Sequence, residues 1–231
     1  MSPSNRSSAL LLCLALGWAA SAQAAEPGWY VVGFGGQSSA STSKSQTDDN
    51  LVDIFESIGM DVVDVISTLD DSDTGFGLAG GYQLNDHFAF EFAYVDLGSV
   101  GYRAAATVSD DVGEADADVA LESSANGAVL SALGILPIGD RFSVFGRVGF
   151  SLLSADGTAR ITLDGITNRA SQDSQKSDPM LGVGAEYSLG KYSAIRLAWD
   201  RYFDVGTEDV TGDVDADLYS VGFRLGVGWF R

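Results

Sequence analysis

From Leu218 to the end of the chain, large and small residues alternate without a break. Tyr219, Val221, Phe223, Leu225, Val227 and Trp229 are bulky and apolar; Ser220, Gly222, Arg224, Gly226 and Gly228 between them are small, polar or charged. A strand sends successive side chains to opposite faces. This stretch therefore reads as a strand that is greasy along one side and thin along the other. About ten residues is the length of a tilted strand that crosses a bilayer. A greasy outside and a polar inside is the pattern of a membrane barrel.

The same pattern recurs upstream. Near Gly28–Ser38, Tyr30, Val32 and Phe34 share one face and Val31, Gly33, Gly35 and Gln37 the other. Over Asp73–Leu84, Phe76, Leu78, Tyr82 and Leu84 alternate with Gly77, Ala79, Gly81 and Gln83. Phe88, Phe90, Phe92 and Tyr94 alternate with Ala89, Glu91 and Ala93. Gly127–Pro137 is apolar on both faces, so periodicity assigns it no phase. Phe142, Val144, Val148 and Phe150 oppose Ser143, Arg147, Gly149 and Ser151. Leu181, Val183, Ala185, Tyr187 and Leu189 oppose Gly182, Gly184 and Glu186. Ile195, Leu197, Trp199 and Phe203 oppose Ala194, Arg196, Ala198 and Asp200.

The gaps between these runs are 39–73, 85–87, 99–126, 138–141, 154–178, 190–192 and 204–217, so long and short connections alternate. Outer-membrane barrels have short periplasmic turns, long external loops and an even strand number. The pattern predicts an all-β fold: an eight-stranded antiparallel transmembrane barrel with both ends of the domain on the periplasmic side. A periplasmic girdle of Tyr82, Phe88, Phe142, Tyr187 and Trp229 falls near the short turns. An external girdle of Phe76, Tyr94, Phe150, Trp199 and Tyr219 falls toward the long loops. A soluble barrel of lipocalin type would place its apolar residues inside. Here the expected inward set is Gly, Ser and Ala with a few charges.

Residues 1–24 have the form of a secretory signal peptide, with Arg6, an apolar core Ala9–Ala20 and the small-residue cleavage site Ala22-Gln23-Ala24. Export through the Sec pathway and a barrel domain over 25–231 follow. Cys13, the single cysteine, lies inside the signal behind Leu10, Leu11 and Leu12, so the mature chain offers neither disulfides nor a thiol nucleophile. The formal charge of −19 excludes nucleic acid as a partner. No later run of apolar residues is long enough for a membrane helix.

Several segments together resemble the OmpA-type eight-stranded outer-membrane barrel. They are Gly75–Tyr82, Phe92–Gly98, Gly182–Tyr187, Arg196–Gly206 and Asp217–Gly222. The resemblance implies a Gram-negative cell-envelope protein that is porin-like in build, inserted by the barrel-assembly machinery. It departs from the family in two respects. The peptidoglycan-binding periplasmic domain of full-length relatives is expected to be absent. The terminal aromatic is replaced by Trp229-Phe230-Arg231.

Glu91, Arg147, Glu186, Arg196 and Arg224 all fall on the inward face, a few residues from the periplasmic ends of their strands. Glu186 and Arg196 are symmetric about Lys191 and so face each other across a hairpin. Buried charges persist only when paired. The cluster therefore reads as a polar filling of the barrel, or as the switchable gate of a narrow pore, a role the resemblance allows. Catalysis has little to draw on, since the single histidine, His87, sits in a periplasmic turn, where a nucleophile–base pair at the outer rim cannot reach it. No phosphate-binding glycine loop or metal-ligand set is present, so no cofactor or metal is expected. The Asp213, Asp215, Asp217 run begins like a calcium loop but has Leu218 and Arg224 where Gly and Glu are needed.

The external loops carry most of the acid: Asp48, Asp49, Asp53, Glu56, Asp61, Asp64, Asp70, Asp71 and Asp73 in the first. The second has Asp110, Asp111, Glu114, Asp116, Asp118 and Glu122, and the fourth has Asp204, Glu208, Asp209, Asp213, Asp215 and Asp217. Two alternating runs, Glu114-Asp116-Asp118 and Asp213-Asp215-Asp217, look like strands continuing above the membrane. A solvated face, or divalent bridging to lipopolysaccharide phosphates, accounts for such acids. In the first loop Leu51, Ile54, Phe55, Ile58, Val62, Val65, Ile66 and Leu69 recur at helical spacing, predicting an amphipathic helix bent near Gly59 and capped by Asp49 or Asn50. It packs on the barrel rim, closes the mouth as a lid, meets a partner or enters the outer leaflet. The expected function is a structural outer-membrane role with loops exposed to host, phage or neighbouring cells. The alternative is a narrow pore for small solutes. A lipid-modifying enzyme comes third and lacks a rim histidine.

Overall fold

The computed structural model describes residues 27–41, 44–57, 59–109, 113–205 and 214–227. The signal segment, Ile58, Asp110, Asp111, Glu208, Asp209, Asp213 and Trp229-Phe230-Arg231 lie outside that set, as does the Glu114 side chain. The elements are β1 (Gly28–Ala40), α1 (Lys44–Ser57), β2 (Asp61–Asp70), β3 (Ser72–Asn85), β4 (Phe88–Ser109), β5 (Glu114–Ile138), β6 (Phe142–Leu163), β7 (Ile166–Ser188), β8 (Ser193–Tyr202) and β9 (Ala216–Gly226). The strands hydrogen-bond in the order β2-β4-β3-β1-β9-β8-β7-β6-β5, and β5 returns to β4. Setting β2 aside, eight strands form a closed antiparallel ring. Tyr30 opposite Gly226 and Ala40 opposite Ala216 mark the two ends of the closing seam.

The outer surface is the greasy one. Phe88, Phe90, Phe92 and Tyr94 of β4 are each more than half exposed, as are Leu130, Val148, Phe150, Leu197, Tyr219 and Val221. Tyr82, Phe142 and Tyr187 are exposed near the short turns, and Phe76 near the opposite end. Trp199 points the same way but is half-buried, because its indole Nε1 donates to Asp217 Oδ1 at 3.0 Å. Leu130 outside with Val129 and Leu133 inside gives β5 its phase. The Asn85 carboxamide caps its turn by accepting from the His87 and Phe88 amides.

The interior differs from the expected Gly, Ser and Ala lining. Tyr30, Val32, Val95, Leu133, Phe145, Met180, Tyr202 and Leu218 are buried within the lumen. An eight-stranded barrel is just wide enough for its interior to be filled by side chains. Small residues alone would leave a void, so bulky ones are needed beside them.

Two expected loops are strands. The stretches 99–126 and 154–178 belong to β4–β5 and β6–β7 hairpins that pair continuously to Ser109–Glu114 and Leu163–Ile166. The acids Asp116 and Asp118 are therefore strand residues on an exposed face. Beyond the barrel, β4 trades β3 for β2, and β2-β4-β5-β6-β7 continue as an external sheet.

The first external segment is likewise half helix and half strand. The helix begins at Lys44, so neither Asp49 nor Asn50 caps it, and it ends at Ser57. Gly59, at φ +83°, ends it. Its amide donates to the Glu56 carbonyl and that of Met60 to Phe55, the two bonds of a Schellman cap. Leu51 and Phe55 are buried and Ile54 is exposed. Val62, Val65, Ile66 and Leu69 lie on β2, not on the helix. The β-branched run Val62-Val63-Asp64-Val65-Ile66 favours a strand and finds β4 as a partner. Leu51 and Phe55 pack on Tyr102, Ala104, Ala106, Val108, Ala117 and Val119, the side of the external sheet continuous with the lumen.

A bulge makes that packing possible. The β4–β5 register shifts between Asp96 and Ser99, and Gly98 sits there at φ +74°. Asp73 of β3 braces it, accepting from the Ser99 amide at 2.8 Å and the Ser99 hydroxyl at 3.1 Å. These bonds, the Ser99 amide first, hold the Asp73 carboxyl below the usual aspartate range. One extra residue turns Tyr102, Ala104, Ala106 and Val108 inward. Gly98→Ala places a β-carbon in left-handed backbone and against Asp73. It should cost about 1–2 kcal/mol from backbone strain alone, read as a lower urea midpoint of the refolded barrel.

Candidate functional site

The inward charges meet at one level. Arg196 stands opposite Glu186 across the β7–β8 hairpin. Its Nε and Nη2 donate to Glu186 Oε2 at 3.1 and 3.0 Å, and its Nη1 donates to Glu91 Oε1 at 2.6 Å. Arg224 Nη1 donates to Glu186 Oε1 at 2.7 Å, and its Nη2 donates to Gln83. Arg147 stands 3.7 Å from Glu91 and 3.3 Å from Asp200. All five of the expected residues are thus drawn into one network, with Asp200 as a sixth charged member.

Asp200 changes the balance. Glu91 and Glu186 alone would face three guanidiniums; with Asp200 the layer holds three carboxylates against three. A buried layer of this kind persists only near neutrality, because an unpaired charge costs several kcal/mol in low dielectric. Tyr30 and Phe145 complete it. The Tyr30 hydroxyl donates to Glu91 at 2.8 Å, and its ring lies 3.9 Å from the Arg224 guanidinium carbon. Phe145 lies 4.9 Å from that of Arg196 and 5.5 Å from that of Arg147. Both aromatics, and Asp200, lie on the inward face of their strands. Alternation around Arg147 marks Phe145 and alternation around Arg196 marks Asp200; Tyr30, on β1, has no such neighbour in its strand.

The layer is not uniformly satisfied. Glu91 Oε2, Arg147 Nε and Asp200 Oδ1 are buried without a hydrogen bond. A cavity of about 10 Å³ adjoins them, lined by Ala198 and Ser220 among others. That volume is at the lower limit for one water molecule. On the periplasmic side, cavities of about 60 and 100 Å³ reach Glu186 and Arg224 from the turns. On the external side the lumen is closed by Val95, Leu97, Leu153, Met180, Tyr202 and Leu218, each at most 5% exposed.

A second polar cluster fastens the helix outside the barrel. Asp48 of α1 accepts from the Ser67 hydroxyl of β2 at 2.5 Å and the Tyr102 hydroxyl of β4 at 2.6 Å. Its other oxygen accepts from Lys44 at 2.9 Å. Burial pushes the Asp48 carboxyl up, but the bonds from Ser67, Tyr102 and Lys44 together hold it below the usual range. Burial and the bond to Asp48 push the Tyr102 phenol up to about 12. This clamp was not apparent in the sequence, where Asp48 is one acid among many. His87 remains in its turn, with Nδ1 3.2 Å from the Ile135 carbonyl. No group of metal-binding side chains occurs among the described residues.

The profile of the OmpA-like transmembrane domain matches residues 24–228. The chain belongs to this family. It is 30% identical over 155 residues to Outer membrane protein A of Yersinia pseudotuberculosis, covering 66% of this chain and 40% of that protein. Outer membrane protein A of Serratia marcescens is 29% identical, with 66% and 39% covered. The chain thus spans about two fifths of the length of these relatives. Among solved structures, Neisserial surface protein A is similar at 17% identity and a TM-score of 0.44, covering 86% of this chain and 96% of that one. OprG from Pseudomonas aeruginosa is similar at 16% and 0.41, covering 89% and 100%. The protein is an outer-membrane β-barrel.

Two outcomes follow from this geometry. Arg196→Met leaves Glu91 and Glu186 without the cation between them and should cost about 3–5 kcal/mol, measured by urea unfolding. The Asp48 clamp should be pH-dependent. A depressed carboxyl contributes stability that is fully present above the unfolded value, about 3.9. That stability is lost as pH falls through the lower folded value. The raised phenol contributes stability present below about 10 and lost as pH rises through about 12. A spin-label distance between α1 and β5 should hold from about pH 4 to 10 and lengthen at either extreme. Asp48→Asn should flatten the acid limb.

Proposed function

We propose that the protein is a structural, non-enzymatic component of the outer-membrane surface, exported by the Sec pathway, with its contacts made by the external sheet and α1. The observation that carries this reading is the double closure of the lumen. A neutral layer of paired charges lies toward the periplasm. An apolar plug including Tyr202, Met180 and Leu218 lies toward the outside. Unpairing the charges would still leave the plug. What the chain offers to its surroundings is instead the helix, the acidic segments beside it and a sheet rising from the lipid. Loops and extensions carry specificity in barrels of one architecture, and the fold itself does not choose a partner. Host, phage and neighbouring-cell surfaces are all partners of the required kind.

A second reading is a narrow passive pore gated by the Glu91, Arg147, Glu186, Arg196 and Arg224 cluster. The unbonded Glu91, Arg147 and Asp200 atoms favour it, because a partly satisfied layer rearranges more readily than a full one. Planar-bilayer recording separates the two. Wild-type protein and Glu186→Ala should both be silent, and steady openings in either would replace the structural reading with the pore. Protease treatment of intact cells should leave α1 uncut, because Leu51 and Phe55 are buried against the external sheet.

A further inference from the structure

We propose that the outward face of the external sheet binds the phosphate-bearing core sugars of neighbouring lipopolysaccharide through Arg103, Arg160 and Arg169. The pairing register sets these residues in one row. Arg103 is opposite Ala120, Ala120 is opposite Arg160, and Arg160 is opposite Arg169. All three arginines are exposed. They are three of only 13 basic residues in a chain with 32 acidic ones.

The row is unfavourable by itself. Arg160 and Arg169 are like charges directly opposite each other on adjacent strands, an arrangement that destabilises a sheet. Neither forms an ion pair with any other described residue. Arg103 reaches Glu122 at 3.7 Å, but these side chains are 76% and 66% exposed, so the pair is weak and exchangeable. An anion lying along the row would relieve the repulsion. Planar guanidiniums suit phosphate and carboxylate because they donate two parallel hydrogen bonds.

The surface also has a shape. A groove of about 400 Å³ crosses the same face, bordered by Arg103, Arg160, Thr68, Thr162, Ile66 and Asp118. Ala105 and Ala120 form its floor. The arginines flank Ala120 two strand spacings apart, roughly 10 Å, enough to straddle one sugar ring. The volume falls within the range of small-molecule sites.

Position selects the occupant. This face continues the lipid-facing surface of Tyr94, Leu130 and Phe150 upward. What stands beside it is whatever stands on the outer leaflet. Ala120 is eight residues further out on β5 than Ala128, the partner of Tyr94. At about 3.3 Å per residue and a tilt near 40° that is roughly 20 Å above the aromatic level. A lipid headgroup is too low to reach the row, whereas core sugars are at its height. Lower on the same face Asp156 stands opposite Asp173, which confines the attraction for anions to the arginine row. The proposal does not depend on whether the lumen conducts.

The test uses the full barrel in neutral-lipid nanodiscs with EDTA present, which removes cation bridging to carboxylates. Binding of three purified probes is measured: core-bearing rough lipopolysaccharide, the same material dephosphorylated, and lipid A alone. Wild type should bind the first at least about tenfold more tightly than either of the others, the loss expected for one or two charge-assisted contacts. Added salt should weaken that binding. Arg160→Ala/Arg169→Ala should reduce binding to the level of the dephosphorylated probe, while Arg160→Lys/Arg169→Lys should retain most of it. Equal binding of all three probes by wild type would overturn the proposal with no variant needed. So would undiminished binding by the alanine pair in a barrel that still migrates as folded without heating.

Discussion

A polypeptide in hydrocarbon has no water to satisfy an unpaired amide or carbonyl, and each such group costs several kcal/mol. Everything in this barrel follows from meeting that constraint. The first strand must find the last, and does so from Tyr30–Gly226 to Ala40–Ala216. Where the requirement lapses, the ring breaks. β1, β3, β8 and β9 stop near the external rim, while β4 to β7 continue. Above that level no further strand among the described residues pairs with β2, or with β7 beyond Met180, an arrangement that water tolerates and lipid does not. The change of partner from β3 to β2 along β4 therefore belongs outside the bilayer.

Closing eight strands fixes a narrow interior, and the interior then dictates its own chemistry. A guanidinium in such a space must meet carboxylates within hydrogen-bond reach, and the carboxylates must be balanced in turn. Arg196 bridges Glu91 and Glu186, Arg224 holds the other oxygen of Glu186, and Arg147 lies between Glu91 and Asp200. Tyr30 and Phe145 present ring faces to the same cations, so the aromatic packing and the ion pairs are a single structure. The closing strand contributes Arg224 to this layer and Tyr219, Val221 and Phe223 to the lipid face. Seam and core are coupled through one strand.

The membrane-spanning part was legible because a two-residue repeat of apolar and polar side chains, sustained over seven of the eight runs, is what lipid on one side and a polar lumen on the other demand. Strand number, phase of most strands, the short turns and the level of the charged residues could all be read that way. The fillers of the lumen could not. Tyr30, Val32, Met180 and Tyr202 are as apolar as the lipid-facing set, and composition does not distinguish packing against a lumen from packing against lipid. The clamp at Asp48 was hidden for a related reason. Its partners Ser67 and Tyr102 are 19 and 54 residues away, and only the fold brings them to it. The segment 61–70 misled because Val62, Val65, Ile66 and Leu69 also fit a helical spacing, and the choice was made by a hydrogen-bonding partner on β4.

Apart from the alternating acids Asp116 and Asp118, which read as a strand above the membrane and are one, the external hairpins were hidden by a reversal of polarity at the membrane boundary. Below it the apolar side of each strand faces out; above it the apolar side faces in, toward α1. β5 makes the change in its residues. Leu130 and Leu136 are exposed on even positions, then Ala117 and Val119 are buried on odd ones. β4 makes it in its backbone. Phe88, Phe90, Phe92 and Tyr94 face out and Tyr102, Ala104, Ala106 and Val108 face in, all on even positions, because the Gly98 bulge lies between them. On β4 a single phase carried past Gly98 would therefore give the wrong surface; on β5 the phase holds and the apolar residues change sides. With the reversal included, Arg103, Asp118 and Arg160 fall on the side turned away from the helix. The face that is greasy in lipid becomes the charged one beyond it.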